Sequence, residues 1–379
     1  MKIIIVGTAY PYRGGLAAFN ERMALQFEQS GNSVEVVTFT LQYPDFLFPG
    51  KTQFSTEKQG NNLKIKRLIN TVNPISWYKA YRYILNQKPD AVIFCYWMFF
   101  VAPAYNFIAR KLRESGVKNY ALVHNLKAHE GSFFDQKLAP KFVNNMDGFF
   151  TLSNSVANQI RELDATDKPI VCSPHPIYDI YGKSLNTQEA RAQLELSNQG
   201  KYVLFFGFIR HYKGLDVLLD AMADARLEAM NVNLIIAGEF YEDEQKYLDK
   251  INALHLSNRI VLKSNYISNS EVAKYFCASD IVAQPYRTAT QSGVTQIAYH
   301  FEIPMLVTKV GGLEEIVLHD KTGYCTDCNA SQIADALVDF FEHDRKNEMM
   351  GYVHKEKHKF TWETFEKKFE DLLLERVSN

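Results

Sequence analysis

Short apolar runs alternate with longer amphipathic stretches along almost the whole chain. In the first half, the apolar runs predict strands at residues 3–6, 33–39, 92–95, 120–123 and 147–152. Between the first two runs, residues 16–30 have the spacing of an amphipathic helix that ends at Gly31. Short buried strands separated by helices are typical of parallel βαβ units with helices on both faces of the sheet.

The same alternation starts again in the second half. Apolar runs predict strands at residues 202–206, 234–237, 260–262, 281–283 and 305–308, and residues 215–225 predict a helix. A polar segment at 174–200 separates the two series, and a chain of 379 residues is longer than one core usually supports. We therefore predict an N-terminal domain at 1–178, a C-terminal domain at 179–360 and a terminal helix at 361–379.

The two series begin with the same glycine spacing. Gly7 and Gly14 follow the first strand, and Gly207 and Gly214 follow its counterpart about 200 residues later. Together with the repeated alternation, this spacing favours two similar open α/β domains in tandem. Ligands of such sheets bind outside the carboxyl ends of the strands, so we predict two doubly wound parallel-sheet domains that face a shared cleft.

Composition excludes several classes of protein. A formal net charge of -1 gives no basic field for nucleic acid, and five cysteines in a chain of this size do not suggest a disulfide framework. The first residues have the pattern of a strand, which differs from that of a signal peptide. Residues 91–109 carry no charge, but Pro103 and Asn106 interrupt them. They predict a buried strand at 91–95 and a helix at about 102–113 in a cytoplasmic protein, in preference to a membrane span.

The loop after the strand at 202–206 carries two cations three residues apart, Arg210 and Lys213, between Gly207 and Gly214. A departing nucleoside diphosphate gains negative charge, which a guanidinium fork and an ammonium group can stabilise. Two solvated surface cations are the alternative interpretation.

Three further turns could bind an anion. Gly14 and Gly15 precede the first helix, where backbone amides can approach a phosphate, although a tight turn alone would also explain them. After the strand at 281–283, a polar turn opens a helix, and a second glycine pair follows the strand at 305–308. Ordinary turn chemistry explains each piece separately, but three such turns at three strand ends favour a ligand site.

These segments together resemble the family 4 retaining glycosyltransferases of the GT-B fold over nearly the whole chain. The resemblance is carried by the Gly14-Gly15 loop, the strand end at 124–125, the 207–214 loop, the 278–282 strand that leads into Pro285, the Pro304 strand and the turn at 311–315. It implies two Rossmann-like domains, with the acceptor on the N-terminal one and a nucleoside-diphosphate sugar on the C-terminal one. It also implies that the terminal helix crosses back onto the N-terminal domain.

The resemblance assigns roles to particular residues. It implies that His124, Arg210 and Lys213 are catalytic. The implied donor-binding residues are Gly14, Gly15, Gly207, Gly238, Ile267, Thr290, Gln291, Ser292, Gly293 and Val294. Acceptor-side candidates are Arg13, Asn125, His129 and Glu130.

The chain departs from the family pattern at two places. The family's arginine usually follows the first glycine of the 207–214 loop directly, where this chain has Phe208, so Arg210 is the substitute. The family's pair of glutamates, which contact the donor sugar and the ribose, is missing from residues 289–297. Thr290, Gln291 and Ser292 are the candidates to replace them.

The histidines leave alternatives open. A neutral imidazole at His124 could orient a sugar hydroxyl or stabilise developing positive charge, or it could simply satisfy backbone groups at a strand end. His129 and Glu130 could contact the acceptor or, in an inverting enzyme, supply a base. The resemblance implies a retaining route in which the donor's own phosphate oxygen accepts the acceptor's proton.

No metal or cofactor is expected. Cys325 and Cys328 have metal-ligand spacing, but the sequence has no second such pair and no Asp-x-Asp motif. The nucleotide sugar is a co-substrate.

A basic aromatic stretch spans residues 64–88, which contain six cations and no acidic residue. Such a surface could lie on the inner face of the plasma membrane, where polyprenyl-linked acceptors reside. An ordinary helix whose aromatic side chains face the core would have the same pattern.

The sequence therefore predicts transfer of a sugar, from a UDP or GDP donor, to a glycan or lipid-linked acceptor in polysaccharide or glycolipid biosynthesis. An epimerase of nucleotide sugars with the same fold is one alternative. A catalytically silent module that binds sugar or nucleotide is the other.

Overall fold

A computed structural model describes residues 1–43, 52–55, 58–126, 133–163, 167–289 and 292–375 of the chain. The chain forms two compact units. One unit comprises Met1–Pro176 together with Thr361–Asn379, and the other comprises Ile177–Phe360. The division falls two residues before the predicted boundary at 178, and the terminal segment is part of the first unit.

The first unit is built on a parallel sheet with the strand order β3-β2-β1-β4-β5-β6-β7 across the described residues. The order reverses direction at β1, as in doubly wound sheets. The strands are β1 (Lys2–Val6), β2 (Ser33–Leu41), β3 (Ile65–Asn70), β4 (Ala91–Tyr96), β5 (Lys118–Val123), β6 (Gly148–Thr151) and β7 (Ile170–Cys172). The sequence pattern had not indicated β3 or β7.

Helices cover this sheet. They are α1 (Gly15–Gln29), α2 (Pro74–Asn86), α3 (Ala102–Glu114), α4 (Phe133–Asn144) and α5 (Asn154–Arg161). The predicted strand at 91–95 and helix at 102–113 are confirmed as β4 and α3. Within the described parts of the chain, no helix is both long enough and apolar enough to cross a membrane.

The second unit has a parallel sheet with the order β10-β9-β8-β11-β12-β13 among its described residues. Its strands are β8 (Lys201–Phe206), β9 (Val232–Ala237), β10 (Ile260–Lys263), β11 (Ile281–Gln284), β12 (Met305–Thr308) and β13 (Gly323–Thr326). The order again reverses, here at β8, so ligand-binding loops are expected at the carboxyl ends of β8 and its neighbours.

The helices of the second unit differ from the sequence prediction at two points. They are α6 (Thr187–Gln193), α7 (Leu215–Met222), α8 (Ala225–Ala229), α9 (Gln245–Ala253), α10 (Val272–Ala278), α11 (Gly293–Phe301), α12 (Leu313–Ile316), α13 (Ala330–Glu342) and α14 (Lys346–Lys357). The helix predicted at 215–225 ends at Met222, because Asp224 caps a new helix by accepting from the Arg226 amide at 2.8 Å. The polar segment 174–200 contains α6 and is not simply a linker.

The terminal helix α15 (Trp362–Leu373) packs within the first unit. The ring of Phe369 stacks on Phe150 of β6 at 4.5 Å, and Phe365 meets the same ring at 4.8 Å. Gln26 of α1 donates a hydrogen bond to Glu366 at 2.8 Å. The apolar side chains of α15 are therefore buried against β6, and the helix is also hydrogen-bonded to α1.

Candidate functional site

The loops after β8, β9, β10 and β11 leave one edge of the second sheet, because these strands are parallel neighbours. Their glycines pack backbone against backbone. Gly207 has φ 96° and Gly238 has φ 156°, and a Cβ atom on Gly238 would lie only 2.0 Å from the Gly207 carbonyl oxygen. No side chain fits there, so these two candidates form a bare backbone surface that a ligand can approach closely.

Lys213 lies under this surface. A Cβ atom on Gly207 would be 3.1 Å from Lys213 Nζ, and the lysine is 9% exposed. The turn that holds it is fixed by Gly214, whose φ is 68° and where a Cβ atom would clash with the Pro285 carbonyl oxygen at 2.0 Å. Lys213 Nζ also lies 5.6 Å from the ring centroid of Tyr286.

Burial changes the chemistry of Lys213. It lowers the pKa of the ammonium group to about 7, and the positive charge of Arg210 lowers it further in the same direction. A buried ammonium group with a neighbouring cation is stabilised by an anion, so this position favours a negatively charged ligand.

Arg210 is exposed, and an aromatic cluster supports it. Its guanidinium lies 5.0 Å from the ring centroid of Tyr241. Phe208 packs on Tyr241 at 4.4 Å and on Tyr266 at 6.2 Å. Phe208, at the position where the resembling family has arginine, therefore helps to hold the ring beneath Arg210.

The start of α11 contributes three further donor candidates, Ser292, Gly293 and Val294. Ser292 accepts a hydrogen bond from the Val294 amide at 3.2 Å and lies 3.3 Å from the Tyr286 hydroxyl. Val294 Cγ2 would be 3.7 Å from a Cβ atom on Gly207, which brings Val294 beside the glycine surface. Gly293 begins the helix. The positive end of the helix dipole at such a start favours an anion.

Ile267 lies in the loop after β10, directly after Tyr266, and is 8% exposed. It therefore belongs to the same edge of the sheet. The candidates Thr290 and Gln291 lie outside the described residues.

The first unit brings together a second group of candidates. Gly14 has φ 102° and precedes α1, whose first residue is Gly15. Phe19, one turn further along α1, contacts the ring of His124 at 5.1 Å and the ring of His175 at 4.6 Å. The glycine turn and the strand end at His124 are thus linked by one phenylalanine ring.

His124 is neutral in the physiological range. Burial, with a smaller contribution from His175, lowers the pKa of His124 to about 3, and burial lowers the pKa of His175 to about 4. His124 Nε2 is buried and has no hydrogen-bond partner among the described residues. A buried imidazole nitrogen without a partner has capacity for one more hydrogen bond, such as one to a sugar hydroxyl.

The acceptor-side candidates are only partly described. The Arg13 amide donates to the Gln53 carbonyl at 3.1 Å, and Asn125 follows His124 in a half-buried position. His129 and Glu130 lie outside the described residues.

Sequence reasoning missed several residues near these edges. His175 was missed because no motif marks it, and Tyr241 because a single tyrosine in a loop carries no signal. Gln296 of α11 is fully buried, and neither of its amide atoms has a hydrogen-bond partner within the described residues. It lies in the stretch 289–297 that corresponds to the glutamate pair of the resembling family. A polar residue inside an apolar helix face was the available signal for Gln296.

In the described part of the chain, no group of three or more histidine, cysteine or acidic side chains is placed to hold a metal ion. Cys325 donates to the Val317 carbonyl at 3.1 Å, and Cys328 lies 3.5 Å from the Pro285 carbonyl oxygen.

Residues 186–357, nearly all of the second unit, match the family model of the glycosyl transferases group 1. The second unit therefore carries a glycosyl transferases group 1 domain, and the chain is a glycosyltransferase. It is 24% identical over 364 residues to an uncharacterized glycosyltransferase of Methanocaldococcus jannaschii, covering 85% of this chain and 84% of that protein. The D-inositol 3-phosphate glycosyltransferase of Pseudarthrobacter chlorophenolicus is 29% identical over 153 residues, 40% of this chain and 36% of that protein.

Solved structures show the fold of this glycosyltransferase. Sucrose-phosphate synthase from Thermosynechococcus elongatus has a TM-score of 0.78 at 15% identity, with 99% of this chain and 98% of that chain covered. HepE from Anabaena, in complex with UDP-glucose, has a TM-score of 0.75 at 17% identity, with 98% and 99% covered. The fold class is GT-B, with two Rossmann-like parallel-sheet domains.

Proposed function

We propose that this glycosyltransferase moves one hexose from a nucleoside-diphosphate sugar to a hydroxyl group of a glycan or lipid-linked acceptor. The transfer retains the anomeric configuration, needs no metal ion and serves polysaccharide or glycolipid biosynthesis. The second unit binds the donor, and the first unit binds the acceptor.

One observation carries the donor assignment. Lys213 holds a buried ammonium group 3.1 Å from the position of a Cβ atom on Gly207, next to a backbone surface without side chains. A cation buried in this way costs free energy unless an anion accompanies it. A diphosphate that lies along Gly207 and Gly238 would be that anion.

Lys213 and Arg210 stabilise the leaving diphosphate as its bond to the sugar breaks. Negative charge then develops on the diphosphate, and Lys213 supplies a compact cation to it. Arg210 supplies a planar fork on the exposed side, and the positive end of the α11 dipole favours the same charge. The leaving phosphate oxygen accepts the proton of the attacking hydroxyl, so the chain needs no carboxylate as base.

His124 acts as a neutral hydrogen-bonding group in this proposal. Its pKa of about 3 excludes a role as an acid at neutral pH. The unpartnered Nε2 orients a hydroxyl group of the transferred sugar, while Phe19 fixes the plane of the ring. Arg13 and Asn125 lie at the same edge and are assigned to the acceptor.

The donor is tested with a thermal-shift panel of UDP, GDP, ADP and their sugars. A ligand that binds only the folded protein at 100 times its Kd adds about 2.7 kcal/mol to the free energy of unfolding. HepE binds UDP-glucose, so UDP sugars are the first to test. Lys213→Met is the matched control, since it keeps the side-chain length and removes the charge. No shift with any nucleotide would overturn the donor assignment.

Transfer is then measured with the donor that binds, a lipid or glycan extract as acceptor, and EDTA in a parallel sample. We expect the product to form in EDTA and to have the same anomeric configuration as the donor. Sugar interconversion without acceptor would favour the epimerase instead. Binding without hydrolysis or transfer would favour a silent binding module, for which the missing pair of glutamates in residues 289–297 is the motive.

A further inference from the structure

Exposed apolar side chains are concentrated at one point of the first unit. Among the described residues, the large hydrophobic side chains that are exposed are Met1, Phe54, Val72, Ile75, Tyr78 and Leu374. Three of them lie within seven consecutive residues, Val72 at 57%, Ile75 at 67% and Tyr78 at 50%. We call these three residues the α2 tip. A cluster of exposed apolar side chains on a folded protein marks a surface that another body covers.

Folding does not require these side chains. The turn before α2 is held by polar groups: Asn73 accepts from the Ile75 amide at 3.0 Å, and Ser76 accepts from the Asn70 amide at 2.9 Å. Trp77 fixes the inner face of the helix by donating to the Asn70 carbonyl at 2.7 Å. Polar residues at the α2 tip would therefore leave the turn intact, and its apolar character needs another explanation.

The charge around the α2 tip indicates what covers it. Ile75, Tyr78, Lys79 and Arg82 share the solvent face of α2, because the i+3 and i+4 spacings place them together. Lys79 and Arg82 are exposed and form no ion pair within the described residues. Residues 64–88 contain no acidic residue at all. A surface that is apolar at its tip and cationic behind it is complementary to an anionic lipid bilayer.

The position of the α2 tip agrees with this partner. Val72 follows the carboxyl end of β3 by two residues, at the edge of the sheet that the proposed function assigns to the acceptor. We propose that the α2 tip inserts shallowly into an anionic phospholipid bilayer while Lys79 and Arg82 contact the headgroups. The docking itself does not depend on the proposed function. Only its purpose rests on that function, namely to bring the acceptor edge of the first unit to lipid-linked substrates.

The test measures binding of the full-length protein to vesicles of phosphatidylcholine alone and of phosphatidylcholine with phosphatidylglycerol. Binding to the anionic vesicles is expected to be at least about tenfold stronger and to weaken in high salt. The double variant Ile75→Ser with Tyr78→Ser should bind anionic vesicles about tenfold or more weakly, because the inserted apolar area is lost. Lys79→Glu and Arg82→Glu should each weaken binding about fivefold or more.

Two variants of the same unit are matched controls. Leu374→Ser removes an apolar side chain that is 43% exposed outside the tip, and Lys367→Glu reverses an exposed charge on α15. Both should bind vesicles like the unaltered protein. Equal binding to both kinds of vesicle, or unchanged binding of the tip variants, would overturn the proposal.

If a protein covered the α2 tip instead of a membrane, the expected results would differ. If the α2 tip joined two copies of the chain, the tip variants would lower the mass measured by light scattering without vesicles, and the membrane proposal would be wrong. Donor hydrolysis should be unchanged in every tip variant, because no residue of the α2 tip is assigned to the donor, the acceptor or catalysis. Failure of docking with intact hydrolysis therefore leaves the proposed function standing, whereas loss of hydrolysis in the unaltered protein counts against the proposed function.

Discussion

Lys213 and Gly207 lie so close that a methyl group on the glycine would be 3.1 Å from the lysine Nζ. The nitrogen is thereby held against bare backbone at the carboxyl end of β8, where a strand, a turn and a buried cation meet. This relationship connects the fold to the proposed chemistry, and the first two predictions depend on it.

We expect Lys213→Ala and Arg210→Ala each to reduce turnover by about 10²-fold, because each removes a charge that stabilises the leaving diphosphate. The fold should survive, since neither residue lies in a strand or an α-helix. Steady-state kinetics and circular dichroism would check both points. Lys321→Ala, which removes an exposed cation of the same unit, is the control and should have normal turnover. Normal turnover in both loop variants would contradict the phosphate-site assignment.

Donor binding should take up a proton above neutral pH. In the free protein the pKa of Lys213 is about 7, so the amine is largely neutral at pH 8, and a bound diphosphate favours its charged form. Affinity for the nucleotide sugar should therefore fall by up to about tenfold per pH unit above 7. Calorimetry of donor binding at pH 8, in two buffers of different ionisation enthalpy, measures the number of protons taken up. Lys213→Met should show no uptake, and uptake that persists in this variant would place the titrating group elsewhere.

The aromatic support of Arg210 can be tested without touching the arginine. Tyr241→Leu removes the ring 5.0 Å from the guanidinium and should reduce kcat by about tenfold, because the cation loses its fixed position. Tyr241→Phe retains the ring and should be close to the unaltered enzyme. In an Arg210→Ala background, Tyr241→Leu should cost little more, since residues that act together are not additive. Additive losses would show that Tyr241 acts independently.

The two buried histidines should make the first unit sensitive to acid. Both folded pKa values lie below the ordinary value of 6.5, so the unfolded chain binds protons that the folded unit does not, and stability falls as the pH drops below 6.5. Between pH 6.5 and pH 5 the loss should be about 3 kcal/mol for the pair. Urea unfolding followed by tryptophan fluorescence measures it, since all three tryptophans lie in this unit. His124→Gln should halve the pH dependence, and an unchanged slope would contradict the assignment.

The terminal helix should contribute strongly to the stability of the same unit. Phe369 is fully buried and stacks on Phe150 at 4.5 Å, so Phe369→Ala should lower the free energy of unfolding by about 3–5 kcal/mol. Lys367→Ala on the exposed side should change it by less than about 0.5 kcal/mol. Fluorescence-detected denaturation checks both variants. Equal stability of the two would mean that α15 adds little to the unit.

The sequence predicted most of the strands because buried parallel strands are continuous apolar runs. It failed for β3, where Lys66 and Arg67 interrupt the run and make it look like part of a basic loop. Charged side chains are common on an edge strand, which β3 is, because they discourage pairing with other chains. A local pattern does not distinguish such a strand from a loop.

The burial of the candidate site could not be predicted from the sequence. Two cations in a glycine loop indicate an anion, yet nothing local distinguishes Lys213, which is 9% exposed, from Arg210, which is open to solvent. That difference arises because Gly214 packs on Pro285, which is distant in sequence. His175 was missed for the same reason, since its contact with Phe19 exists only once the sheet has assembled.

The first unit is discontinuous in sequence, since α15 returns to β6 and α1 after the whole second unit has been formed by the chain. During synthesis, residues 1–176 leave the ribosome with the Phe150 surface still uncovered, and about 190 residues more must follow before α15 can cover it, at a pace of about 5–20 residues per second. The N-terminal unit is therefore left unfinished for tens of seconds while the second unit is already free to fold. We expect nascent chains in that interval to be the stage most dependent on chaperones.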